Sequence, residues 1–124
     1  MRCFENAARH LDDDGVFVLE CRIPTAPARP GHQYVDAEHI AVDQVTLDVC
    51  RYDPVTQILD ENHVHIGGDG IVFSPIRLRL AHPPEFDLMA RIAGLRLRER
   101  WGGWEQEPYT ADSRRHVSVY ERAS

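Results

Sequence analysis

The spacing of apolar residues changes along the chain, and each change marks a predicted element. Phe4, Ala7, Ala8 and Leu11 recur at helical spacing, which predicts a short amphipathic helix over the first eleven residues. The run "DDDG" at 12–15 ends it, with Gly15 suited to a left-handed position after the helix. "VFVLE" (16–20) is an unbroken apolar run, the signature of a strand covered on both faces. Pro24, Pro27, Pro30 and Gly31 make 22–33 a loop, and a short helix is expected within 35–44. "VTLDVCRY" (45–52), "TQILDENHVHI" (56–66) and "IVFSPIRLRLA" (71–81) are separated by turns at "DP" (53–54) and "GGDG" (67–70). They predict a three-stranded antiparallel meander, with Pro75 at a bend or an edge.

The last third is the most sharply punctuated. "PPEFDLMARIAG" (83–94) opens on proline, carries Glu85 in its first turn, and closes at Gly94. Its apolar stripe is Phe86, Met89, Ala90 and Ala93. "LRLRERW" (95–101) predicts a half-buried strand with Leu95, Leu97 and Trp101 on one face. A loop and a final strand, "HVSVYER" (116–122), complete the chain. The core is expected where Phe86, Met89, Ile92 and Leu97 meet Val16 and Val18.

Composition narrows the class. The 124 residues suit one domain, 1–124, with 35–81 as an insertion carrying the meander. A net charge of −6 disfavours binding to phosphate backbones, so no nucleic-acid partner is expected. All 14 basic residues are arginine, a skew expected of a GC-rich genome. Cys3, Cys21 and Cys50 form no CxxC pair, so free and mostly buried thiols are expected rather than a zinc knuckle or disulfide framework. The N-terminus lacks the apolar core of a signal peptide and no run reaches membrane-spanning length. A cytoplasmic protein without a membrane partner is the expectation.

The segments "FENAARHLDDDGVFVLE", "PPEFDLMARIAGLRLRERWGGW" and "HVSVYER" together resemble the C-terminal half of class I S-adenosylmethionine-dependent methyltransferases of the small-molecule type. The first resembles that family's helix, turn and strand five. The second resembles its last helix and strand six. The third resembles strand seven, which in the family runs antiparallel between five and six. The resemblance implies an α/β fold, α+β as truncated: a partial Rossmann-like sheet with the meander inserted on the substrate side.

The same resemblance places cofactor binding in a first half that this sequence does not match. There a glycine turn after strand one and an acidic residue ending strand two hold the cofactor. The glycine clusters here, "GGDG" and "WGGW", open no apolar helix, so neither reads as a cradle. The isolated chain is therefore expected to bind no cofactor, and S-adenosylmethionine only if an N-terminal half is supplied. Two functions follow. One is the C-terminal half of a methyltransferase, active only with a separate N-terminal half. The other is a non-enzymatic remnant, a small-molecule-binding or oligomerisation module. In either case the strand at 16–20 lacks a neighbour, and a homodimer is expected to protect that edge.

Candidate substrate-binding residues fall in four places. Glu20 and Arg22 end the strand at 16–20, where open α/β sheets gather ligands. His63 and His65 share a strand face; with Asp60 or Asp69 they could hold a metal, they could act as a base toward an acceptor, or they could simply be a polar face. The last reading is preferred and no metal is expected. Arg77 and Arg79 also share a face, suited to clamping a carboxylate or to pairing with nearby acids. Trp104 is a loop anchor or an aromatic wall. No nucleophile elbow accompanies Ser113 or Ser118, so no catalytic residue is assigned.

Overall fold

The structure is a computed structural model and describes residues 1–25 and 30–124. It divides into two compact units, Met1–Pro24 with Ala81–Ser124, and Thr25–Leu80. No helix is long and apolar enough to cross a membrane among the described residues. Part of the expected loop, 26–29, lies outside the described residues; Pro30–His32 form a short 3-10 segment broken by left-handed backbone at Gly31, φ 73°.

The first unit contains α1 (Arg2–His10), β1 (Val16–Arg22), α2 (Pro83–Ile92), β6 (Leu95–Trp101) and β7 (Arg115–Arg122). Its sheet has the order β1-β7-β6, with β7 antiparallel to both neighbours, the central place expected for the last strand. Helix α2 begins where the prolines and Glu85 place it: the Glu85 carboxylate accepts the His82 N–H at 3.0 Å. It ends at Gly94, whose φ of 80° only glycine adopts cheaply. The core is Phe4, Ala90, Leu95 and Tyr120, with Phe17, Leu19, Phe86, Met89 and Ala93 packed around them. Phe4 stands edge-on to both Phe17 and Tyr120, each at 5.4 Å.

Several expectations fail here for one reason: the core residues of both helices pack with Phe17, Leu19 and Tyr120, on one face of the sheet. β1 is therefore covered on one side only, and Val16 and Val18 are 40% and 41% exposed rather than central to the core. Ile92 lies off the α2 stripe and is 66% exposed. Leu97 is 38% exposed beside a register shift between Leu97 and Glu99. Gly15 does not adopt a left-handed conformation; α1 ends in extended backbone at Leu11. A Cβ at Gly15 would come to 3.1 Å from the Asp12 backbone and from Leu11 Cδ2, a tight approach that those neighbours would have to relieve. Cys50 alone of the three free thiols is buried; Cys3 is exposed.

The second unit is a sheet of four strands, not three: β2 (Gln33–Ile40), β3 (Val45–Asp53), β4 (Ile58–Gly67) and β5 (Gly70–Arg79), in that order and antiparallel throughout. The helix expected within 35–44 is replaced by β2. "YVDAEHI" alternates polar and apolar without a helical stripe, and pairing with β3 supplies the hydrogen bonds that favour a strand. Pro75 lies on β5, an edge strand, where its missing N–H is tolerated. Gly67 and Gly70 close the β4–β5 hairpin, with Gly70 at φ 115°.

Candidate functional site

Strand alternation gives the four-stranded sheet two chemically different faces. One is crossed by two successive rows, Gln33, Arg51, Asp60 and Arg77, then Val35, Val49, Asn62 and Pro75. An open groove of about 830 Å³ runs along these rows. Asp60 sits between two arginines, taking bonds from Arg77 Nε at 2.6 Å and Arg51 Nη2 at 3.1 Å. These bonds, with that from Arg77 first, hold its carboxyl below the ordinary range. Asn62 Oδ1, on the adjoining row, is buried with no hydrogen-bond partner. Arg77 is thus engaged with Asp60, while Arg79 donates to Gln57 Oε1 at 2.6 Å.

The opposite face carries most of the ionisable side chains. Tyr34, Cys50 and Glu61 align in one row, and Asp36, Asp48 and His63 in the next. His65 follows His63 on the same face, with its Nδ1 3.2 Å from Thr46 Oγ1. Cys50 and Glu61 are buried, and the Cys50 thiol lies 3.3 Å from Asp48 Oδ1. Burial, chiefly, pushes this thiol up to about 11. The same cause, aided by a bond to Cys50, raises Tyr34. A bulge in β2 between Ala37 and His39 leaves Glu38 to meet His63 Nδ1 at 2.9 Å, and that bond raises the imidazole above its ordinary value. The two histidines and the two arginines, each pair expected to share a face, therefore stand on opposite faces of one sheet.

In the first unit, Glu20 and Arg22 end β1 as expected. Glu20 accepts a hydrogen bond from the Trp104 indole N–H and lies 3.6 Å from Arg115. Trp104 is thereby anchored, although it remains 60% exposed. Arg22 pairs in register with Arg115.

A second polar constellation was not anticipated from the sequence. His116, Ser118 and Tyr120 alternate on β7, all fully buried. Ser118 Oγ accepts Arg100 Nε at 2.8 Å and meets His116 Nδ1 at 2.7 Å. Arg100 grips Asp87 and also donates to the Tyr120 hydroxyl, which in turn donates to Asp87 at 2.8 Å. Burial opposes the Arg100 charge, but Asp87 outweighs it and the net shift is upward. Burial, and next the nearby Arg100 charge, push His116 down to about 4, so it is neutral near pH 7. The repeat H-x-S-x-Y was the available signal; its partners Asp87 and Arg100 come from elements that only the fold brings near.

The glycine clusters do not fit a cofactor cradle. Gly67, Gly68 and Gly70 belong to a hairpin between antiparallel strands. A Cβ on Gly102 would meet Pro108 O at 2.9 Å, and one on Gly103 would meet the Glu107 carboxylate at 2.5 Å. Those glycines admit their own loop rather than a ligand.

No family model matches the chain. The comparisons nonetheless define a class: the chain is similar to methyltransferases over about half of their length. It is 34% identical over 122 residues to the cypemycin N-terminal methyltransferase of a Streptomyces species, matching 93% of this chain and 47% of that protein. The structure of the CcbJ methyltransferase from Streptomyces caelestis superposes with a TM-score of 0.89 at 36% identity, over 98% of this chain and 49% of that one. An S-adenosylmethionine-dependent methyltransferase from Clostridium acetobutylicum shares the fold at a TM-score of 0.76 and 9% identity, over 98% and 50%. The chain thus spans about half the length of the relatives it matches, the pattern expected of a methyltransferase C-terminal half.

Proposed function

We propose that this chain supplies the acceptor-side, C-terminal half of an S-adenosylmethionine-dependent methyltransferase acting in the cytoplasm on a small-molecule or peptide acceptor. The observation that carries the reading is the match to CcbJ, in which nearly all of this chain covers about half of that enzyme at 36% identity. The β1-β7-β6 sheet then corresponds to strands five, seven and six of a Rossmann-like sheet. One relative's name places its methyl group on an N-terminus, and an amino nitrogen is accordingly the acceptor class this reading favours.

S-adenosylmethionine, when bound by a complete enzyme, supplies the electrophilic methyl group. This chain's glycines do not form its cradle, so its residues are assigned to binding and orienting the acceptor. The groove beside Val35, Val49 and Pro75, rimmed by Arg51, Asp60 and Arg77, is the surface favoured for that task. The Arg77 and Arg51 bonds leave Asp60 ionised at neutral pH, and the two guanidinium groups outweigh its single charge, so this rim favours an anionic part of the acceptor molecule.

β1 is an edge strand with Val16 and Val18 exposed beside it. The cofactor-binding half is the natural cover for that edge, and without it a second copy takes the place, giving a homodimer. Calorimetry with S-adenosylmethionine tests the reading. The chain alone should show no binding, and the chain mixed with the N-terminal half of the cypemycin relative should bind cofactor and methylate amines. A dissociation constant below about 100 μM for the chain alone, near −5.5 kcal/mol, would overturn the division of labour.

A further inference from the structure

We propose that Asp48, Cys50, Glu61 and His63 form a binding site for one zinc-class divalent cation on the polar face of the four-stranded sheet. The four residues stand at the corners of a square. Asp48 and Cys50 are two apart on β3, Glu61 and His63 two apart on β4, and the register pairs Cys50 with Glu61 and Asp48 with His63. Two-residue spacing on each strand sends all four side chains to one face.

The distances suit coordination. Ligand atoms of Asp48, Cys50 and Glu61 all lie within 4.8 Å of one another. Cys50 Sγ is 3.3 Å from Asp48 Oδ1, and His63 Nε2 is 3.3 Å from Glu61 Oε1. Bonds of 2.0–2.3 Å at tetrahedral angles separate zinc ligands by roughly 3.3–3.8 Å. Those two edges of the polyhedron are therefore nearly in place; His63 reaches Glu61 but stands outside the close set of three, so its ring must move inward to complete the four.

The surroundings point the same way. Cys50 and Glu61 are 4% and 6% exposed. Asp48 is half-buried beside them, so the cluster is largely shielded from water, where a bound cation meets little competition from solvent. Glu38, outside the square, holds His63 by Nδ1 at 2.9 Å, which fixes the ring and leaves Nε2 for the cation. That carboxylate–histidine pairing recurs behind metal-bound imidazoles. Tyr34 of β2 is the register partner of Cys50 on the same face of the sheet. A mixed sulfur, nitrogen and oxygen set selects zinc or cobalt over calcium and magnesium, which prefer oxygen alone. On binding, the thiol proton leaves to solvent and the sulfur–metal bond forms, with no redox change. The cation ties β3 to β4 independently of any methyl transfer.

Cobalt titration of the purified full chain under reducing conditions tests the site. One equivalent should bind, giving a near-ultraviolet thiolate-to-cobalt band and the strong visible bands of a four-coordinate ion, both removed by added zinc. Cys50→Ser should abolish the near-ultraviolet band. Asp48→Asn and His63→Gln should each weaken binding about tenfold or more with unchanged circular dichroism. A chain carrying Cys3→Ser and Cys21→Ser should keep the band. No band in the parent chain, or one that follows Cys3 and Cys21 instead of Cys50, overturns the proposal. If Cys50→Ser does not fold, unaltered affinity in both Asp48→Asn and His63→Gln overturns it as well.

Discussion

Arg100 and Asp87 join β6 to α2 through a two-pronged ion pair, Nη2 to Oδ1 at 2.6 Å and Nη1 to Oδ2 at 3.1 Å. The Arg100 side chain is only 11% exposed, so its charge depends on this partner. Asp87→Ala would leave the guanidinium buried and unpaired and would remove the acceptor of the Tyr120 hydroxyl. The expected loss is about 3–5 kcal/mol in urea unfolding. A loss below about 1 kcal/mol would mean that water replaces the carboxylate without cost.

His116 gives the first unit an acid-sensitive element. In the unfolded chain it protonates near its ordinary 6.5, and in the folded chain only near 4. Between those values the unfolded state holds more protons, so this residue's contribution is complete above about pH 6.5 and is lost as pH falls toward 4. The groups facing it are Ser118, Arg100, Asp87 and Tyr120. His116→Gln should flatten the stability profile across that window by on the order of 3 kcal/mol. Parallel profiles for parent and variant would rule out a buried, neutral histidine.

Met89 and Ile92 lie on the same short helix and should respond differently. Met89 packs against the Phe4 and Tyr120 cluster, and Met89→Ala should cost about 2 kcal/mol or more. Ile92→Ala, at a position 66% exposed, should change stability by less than about 0.5 kcal/mol. Thermal or urea melts of the two variants would show equal losses if the helix were rotated.

Val18 should matter for association and not for folding. It is 41% exposed on edge strand β1, and a lysine there is the common way of protecting such an edge. Light scattering should find the parent chain dimeric at micromolar concentration, and Val18→Lys monomeric but still folded, with a melting temperature that no longer depends on protein concentration. A parent chain that is a folded monomer would refute the covered edge.

Much of the first unit was legible along the chain. Phe4, Phe86, Met89, Ala90 and Ala93 lie where helical spacing puts them, because a short helix next to a sheet must present its apolar stripe inward. Pro83, Glu85 and Gly94 bound α2 by backbone rules that act within one turn. The exposure of Val16 and Val18 was not legible, since "VFVLE" is equally apolar on both sides and only the placement of the helices decides which side is covered.

In the second unit the turns at 54–57 and 68–69 already imply the pairings of β3, β4 and β5, because hairpin strands count outward from their turn. His63 and His65 on one face, and Arg77 and Arg79 on the other, follow from that count and strand alternation. β2 was missed because an edge strand draws its stability from its neighbour and carries little signal of its own. The meeting of Asp87 with Arg100 and Tyr120 joins residues of α2, β6 and β7 that no hairpin count relates. Spacing within each element is written in the sequence; burial, and with it the displacement of the Cys50 thiol and the His116 imidazole from their ordinary values, arises only when packing removes those groups from water.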